Sequence, residues 1–435
     1  MGISSAIAAP GQERLDELKL YRRVAWRILP LTVVCYFFSY FDRINISFAK
    51  AQMQADLGLS DAAYGIAASI FFVGYVLFEV PSTIGLKKYG APSWICRIMI
   101  SWGLATAALM FASSEYVLYF LRFLIGVMEA GFGPAILFYL ACWFPRRKMA
   151  SINGLFFLSG PISGALGAPV AGFILSHMNG VMGLAGWHWL FLMSGLPCVL
   201  LGLVTVWKLD RDISSARWLA AEEKAYLIDQ LGDAKAAAKP AHGSILKVLM
   251  SWEVLALGLI YFVVKVSAYG INFWMPDLIR RSGVEDLTTI GLLTGIPYAF
   301  AFVGMLIVTR YSDRKGNRRT PLWVSLTVAS VGYFLACTYP EYPVLFMSAL
   351  ILATAGSFVA IPVFWAIPQT KFNGLAIAAA IAAINSLGQL SGIVAPSAIG
   401  FINELSDNKY LGMLSIAPVC LVGALIVLKV VPRKI

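Results

Sequence analysis

Twelve apolar stretches divide the chain, and this division constrains the fold more than any single motif. They cover 25–48, 63–86, 93–112, 116–143, 150–176, 187–207, 252–279, 287–309, 320–338, 342–369, 373–402 and 410–430. Each approaches or exceeds the roughly 20 residues that carry an α-helix across a hydrocarbon core. Only 13% of the 435 residues are charged, about half the share in a soluble domain, too few to cover a water-facing surface. The expectation is an all-α membrane protein with twelve transmembrane helices.

The polar segments between the stretches alternate in their basic charge. The set that includes both termini holds 27 Lys and Arg, and the opposite set holds only Lys50, Arg280, Arg281 and Lys409. Positive charge is retained on the cytoplasmic side of a membrane. Both termini and the loop 208–250 are therefore expected in the cytoplasm of a cell with a bacterial-type inner membrane. The net charge of +11 is accounted for by topology, and nucleic acid is not an expected partner. The polar start GQERLDELKLYRR does not read as a cleavable signal. The six cysteines are scattered through apolar stretches without a CxxC pair, so neither a disulfide framework nor a zinc site is indicated. No nucleotide motif or catalytic His/Ser set is present. The chain is expected not to be an enzyme and to need no cofactor, with the proton as coupling ion.

The chain reads as a cytoplasmic segment 1–24, a six-helix bundle 25–207, a cytoplasmic linker 208–250, a second bundle 251–431 and a tail 432–435. In the linker, Trp218, Ala221, Ala225 and Ile228 recur at helical spacing, which predicts an amphipathic helix, and AKAAAKPAHGS reads as a tether. The two halves echo one another. LSGPISGALGAPVAGFI at 158–174 and SLGQLSGIVAPSAIGFI at 386–402 agree at Gly160/Gly388, Ser163/Ser391, Gly164/Gly392, Gly172/Gly400, Phe173/Phe401 and Ile174/Ile402. Small residues four apart let helices approach closely, and six-helix repeats around a midplane site are a transporter architecture. GLKKYGAPSW at 85–94 and SDRKGNRRTP at 312–321 repeat a short basic turn containing glycine, which reads as a gating loop with Asp313 and Arg314.

Six ionisable residues stand out within the stretches: Asp42, Arg43, Glu79, Arg122, Glu129 and Lys265. Each costs about 2.5–3.5 kcal/mol to insert at a bilayer centre, so each needs a partner or a wet cavity. Arg122 and Glu129, seven apart, share one helix face about 10.5 Å apart, too far to touch. Asp42 and Arg43 point differently and are expected to bridge two helices. A carboxylate beside an arginine stays ionised. If a substrate carboxylate takes the arginine, Asp42 or Glu129 is left to capture a proton, and the two move together. Tyr261, Lys265, Tyr269 and Asn272 form one polar stripe. Its ammonium suits an anionic substrate, aromatic or dicarboxylic, or else pairs with Asp42 or Glu129. Glu79, just before Pro81, reads as a gating residue. Tyr75, Trp365, Asn385 and Gln389 are candidates to line a substrate pocket or to join helices. The reading is secondary active, proton-coupled uptake of a small organic anion by a monomer in contact with lipid. Organic-anion exchange or facilitation without proton coupling is the alternative.

YFDRINISFA, RFLIGVMEAGFGPAILFYLACWFP, YGINFWMP, SDRKGNRR and INSLGQLSG together resemble the anion:cation symporter branch of the major facilitator superfamily. That branch includes permeases for phthalate, tartrate, hydroxyphenylacetate and sugar acids, and animal sialin. The resemblance runs from about residue 20 to the end. It implies two pseudo-symmetric six-helix bundles, alternating access, proton symport and a carboxylate substrate. It also implies protonation at Asp42 and Glu129, pairing of Arg122 with Glu129, and a substrate region at Arg43, Tyr75 and Asn385. The chain departs from the branch at Pro92, where an arginine is frequent, at Ser82-Thr83 and at Gln389, where asparagine is frequent. It also departs at Lys265, where an uncharged residue is usual.

Overall fold

The computed structural model describes residues 10–236, 251–371 and 375–432. Its helices are α1 Pro10–Leu57, α2 Asp61–Tyr89, α3 Ala91–Ala108, α4 Glu115–Glu129, α5 Phe132–Ala141, α6 Arg146–His177, α7 Gly186–Lys208 and α8 Ala221–Ala236. The second half contributes α9 Trp252–Arg281, α10 Leu287–Lys315, α11 Arg319–Thr338, α12 Pro343–Lys371, α13 Leu375–Leu405, α14 Leu411–Leu414 and α15 Ile416–Val430. Several starts follow capping chemistry: Ser60, Ser114, Ser251 and Asp286 accept from the backbone N–H three residues on, satisfying a donor that the helix leaves free. Both basic turns bend at a glycine with positive φ, Gly90 at 83° and Gly316 at 58°.

No strand occurs among the described residues, and eleven segments there are long and apolar enough to cross a membrane. The twelfth expected stretch, 373–402, corresponds to α13, a helix of 31 residues. α1 is longer than expected and carries the sequence through to Leu57. Lys50, placed by the sequence in a polar connection, is therefore inside a helix and buried. The fourth stretch is broken between α4 and α5, at Gly131 with φ 82°. The expected tether falls almost wholly on 237–250, and 1–9, 372–374 and 433–435 are likewise outside the described residues. The linker helix begins at Ala221, after Trp218, and buries Leu227 while Ile228 is exposed. Its inward face thus differs from the stripe read in the sequence, because Tyr226, Leu227 and Leu231 reach the core of the first bundle.

Helices α1–α7 pack as one bundle and α9–α15 as another, and two long pairings join them: α6 along α10, and α13 along α2. The pairings are pseudo-symmetric. Gly172 lies backbone to backbone against Gly291, and Gly400 against Gly65. A Cβ on Gly172 would sit 2.5 Å from the carbonyl oxygen of Leu287, and one on Gly400 would sit 2.5 Å from that of Asp61. Gly172 and Gly400 are the matched positions of the sequence echo. These contacts lie toward the end of the molecule opposite the basic loops, here called the far end.

Candidate functional site

Glu129 closes α4, and its Oε1 accepts a hydrogen bond from Ser39 Oγ at 2.9 Å and forms a tight ion pair with Arg43 Nη2. The break at Gly131 follows at once, so this carboxylate sits at the negative pole of its own helix, and the arginine offsets that charge. Glu129 Oε2 is buried with no hydrogen-bond partner. The Arg43 guanidinium lies 5.3 Å from the ring centre of Phe71 and 5.4 Å from that of Tyr75, both on α2. Arg122 also lies over the Phe71 ring, at 5.1 Å from its centre. Its Nε donates to the Ala67 carbonyl at 3.2 Å and its Nη2 has no partner.

Asp42 faces away from this pair, into the interior of the first bundle. It accepts from Thr106 Oγ1 of α3 at 2.6 Å, from Asn45 Nδ2 at 2.9 Å and from Ser194 Oγ of α7 at 3.3 Å. Adjacent Asp42 and Arg43 thus bridge α1 to different helices. Asp42 is joined only to neutral groups, whereas Glu129 is joined to the arginine.

The second bundle brings its own cation to the same depth. Lys265 Nζ lies 4.3 Å from the ring centre of Tyr269, and the Tyr269 hydroxyl donates to Gln389 Oε1 at 2.8 Å. Lys265 forms no ion pair with Asp42, Glu129 or another acid among the described residues. The Arg43 guanidinium reaches the Tyr269 side chain from the first bundle, so both cations adjoin this tyrosine of α9. Asn272 joins the bundles: its amide donates to Tyr40 Oη of α1 at 2.8 Å and accepts from Tyr298 at 2.8 Å. Tyr261 stacks on Phe364 at 4.9 Å and meets Trp365 edge-on at 4.9 Å. Asn385 is half-buried one turn from Gln389.

Of the residues read as gating, Asp313 pairs with Arg318 at 2.5 Å within its turn, while Arg314 is exposed. The Glu79 carboxylate forms no ion pair with the basic loops among the described residues. A charge cluster that the sequence reading passed over stands instead at the far end. Lys50 of α1 contacts Asp277 at 2.7 Å and Asp61 at 2.9 Å. Arg281 contacts the same two acids at 2.7 and 2.6 Å, and Arg280 contacts Asp277 at 3.0 Å. The Lys50 ammonium also lies 4.1 Å from the ring centre of Trp274. Three of the four cations that stand on the wrong side of the charge bias are spent in this cluster. That exception was the signal in the sequence, together with Asp277 inside an apolar stretch. The cluster, Tyr64 Oη donating to the Phe273 carbonyl at 2.7 Å and the glycine contacts close the far end between the bundles.

Two helical bundles that enclose buried charges and are joined at one end by ion pairs have the architecture of a membrane transporter. The chain belongs to the Major Facilitator Superfamily, which it matches over residues 32–396. A protein of Agrobacterium vitis named as a candidate tartrate transporter is 38% identical over 413 residues, covering 95% of this chain and 91% of that one. The inner membrane transport protein RhmT of Escherichia coli K12 is 35% identical over 414 residues, covering 95% of each. The xylose transporter XylE of E. coli in an inward-open conformation superposes with a TM-score of 0.75 at 15% identity, over 94% of this chain and 97% of that one, a likeness of fold. The chain is a multi-pass membrane transporter, not an enzyme.

Proposed function

We propose that the chain takes up a small organic anion together with protons across a bacterial-type inner membrane, with both termini in the cytoplasm. The observation that carries this reading is the Arg43–Glu129 ion pair facing the unpaired Lys265. Two cations that approach one tyrosine from opposite bundles, only one of them paired with an acid among the described residues, leave a positive charge for an anion to answer. A substrate carboxylate that takes the Arg43 guanidinium leaves Glu129 beside Ser39 alone, at a helix C-terminus and out of water. A proton is the charge that can take the place of the arginine there. Binding of the anion and of a proton at Glu129 are thereby linked, and Tyr75, Tyr269, Trp365, Asn385 and Gln389 would shape the space around the substrate. Arg122, beside Phe71, adds fixed positive charge, and Asp42 holds α1 against α3 and α7.

Each chain carries both halves of this site, so a single copy suffices. The names of the tartrate and RhmT relatives support a small organic substrate and an inner-membrane location. The basic ends of the helices support the orientation. The test is uptake into weakly buffered proteoliposomes, with a panel of aromatic, aliphatic and sugar-derived acids and a neutral sugar. The expected result is uptake of an acid with alkalinisation of the outside medium. Net uptake of an acid without any pH change would replace symport by exchange or facilitation. Uptake of the neutral sugar alone would remove the anion site.

A further inference from the structure

We propose that a recess between α1 and α7 is a binding site for an anionic phospholipid, its phosphate held by Arg27 and Lys208. The recess measures about 310 Å³ and is lined by Trp26, Arg27, Pro30, Leu31, Val204 and Lys208. It lies outside the transport site, at the basic end of the first bundle, where the positive-inside bias places the cytoplasmic leaflet.

Its chemistry is graded along the membrane normal. Arg27 and Lys208 sit at its rim, both exposed, and neither forms an ion pair among the described residues. Leu31 follows Arg27 by four residues and Val204 precedes Lys208 by four, so each apolar residue lies one turn, about 5.4 Å, deeper in the membrane. A phosphate fits the rim, and an acyl chain fits the wall below it. Pro30 has no backbone N–H and no long side chain to fill the space. Trp26 and Trp207 are 71% and 86% exposed, as indoles anchored at the headgroup level are. Leu200, Leu203 and Trp207 leave the adjoining face of α7 bare to lipid.

The acid nearest Lys208 along the chain, Asp210, forms no ion pair with either cation among the described residues. Asp210 accepts from Trp218 Nε1 at 2.7 Å. The Arg27 guanidinium lies 5.8 Å from the Trp218 ring centre, and that ring stacks on Trp143 at 5.9 Å. A headgroup on Arg27 would therefore touch the packing that fastens the linker to α5. A free phosphate ion would meet the same two cations but leave the apolar wall bare, and the graded lining favours the amphiphile.

Native mass spectrometry of the purified full-length protein tests this, with phosphatidylglycerol, phosphatidylcholine and inorganic phosphate as probes. Phosphatidylglycerol is expected to be retained in preference to phosphatidylcholine, and millimolar phosphate is not expected to displace it. Arg27→Gln/Lys208→Gln is expected to weaken that retention by at least about tenfold, since each basic residue near an anionic surface contributes a factor of several. Arg310→Gln, an exposed cation at the basic end of the other bundle, is expected to leave it unchanged. Equal retention by the double variant and the parent would overturn the site. Displacement by phosphate would make it a site for soluble anions and overturn the lipid. Melting temperatures of the three proteins without added lipid show that a loss of retention is not a loss of fold.

Discussion

Glu129 differs from Asp42 in what answers its charge, and this difference sets what each residue can do. Asp42 is held by three neutral donors on its own bundle, so an arriving anion removes none of its partners. Glu129 shares Arg43 with whatever else that guanidinium can bind. Glu129→Gln keeps the hydrogen bond from Ser39 but cannot gain or lose a proton. This variant should retain counterflow exchange of the substrate and lose gradient-driven accumulation. Normal accumulation in proteoliposomes would remove Glu129 from coupling. Lys265 lies across the site from Arg43, so a second carboxylate on the substrate has a cation to meet. Lys265→Met should raise the KM of a dicarboxylate by about 10- to 100-fold, the worth of a hydrogen bond to a charged group, and that of a monocarboxylate much less. Equal effects on both would assign Lys265 a structural role. The residue types at this site were legible in the sequence, because a charge inside an apolar stretch is conspicuous. Which partner each charge takes was not, since adjacent Asp42 and Arg43 differ only in helical azimuth. The hydroxyls that decide the matter, Ser39, Thr106 and Ser194, look ordinary in a membrane helix.

The helices α6 and α13 carry the most informative repeat in the chain, and the structure gives it a physical reason. Gly172 and Gly400, the matched positions, let the fifth helix of each half meet the second helix of the other at backbone distance. Such contacts stabilise helix pairs where lipid offers no hydrophobic drive, and they also permit the far end to close. Gly400→Leu places a side chain where its Cβ would lie 2.5 Å from the Asp61 carbonyl oxygen, with Gly65 Cα at 3.2 Å. Backbone cannot yield as a side chain can, so α13 and α2 must part. In a background without the six native cysteines, Ser69→Cys should become several-fold faster to label with a membrane-impermeant thiol reagent applied from the far side. Ser69 accepts from the Ser397 backbone N–H at 3.1 Å in the closed pairing. Unchanged labelling would mean that the glycines pack the helices without governing closure. Helix number and order were readable from length and hydropathy alone. The break after Glu129 was not, because Ala130-Gly131 inside an apolar run is indistinguishable from any small pair until the tertiary contact with Ser82 is known.

For the molecule as a whole, the far-end cluster is the element whose charges belong to both bundles at once. Lys50 and Asp61 come from the first, and Asp277, Arg280 and Arg281 from the second. Were the bundles to part at this end, Lys50 would leave Asp277, and Asp61 would leave Arg281. Each half keeps a partner of its own, Lys50–Asp61 on one side and Asp277 with its arginines on the other. The seal is thus divisible without stranding a bare charge in the membrane. The sequence did not disclose this, because its members lie as far apart as residues 50 and 281 and four of the five resemble loop charges. Lys50→Met removes one of the two cations that touch both acids, and Asp61 is then left with Arg281 alone, which it shares with Asp277. The closed far end should lose at least about 1.4 kcal/mol relative to the open one, a tenfold shift in population. Spin labels at Ala55→Cys and Glu285→Cys, exposed positions on the two sides of the seal, report that shift as growth of the longer-distance population in Lys50→Met. Growth of the same population in Asp277→Asn would locate the effect in the ion pairs, since the substituted amide keeps the size of the side chain and loses its charge. If Lys50→Met leaves the distance distribution unchanged, the glycine contacts alone hold the far end shut and the charges serve only to neutralise one another.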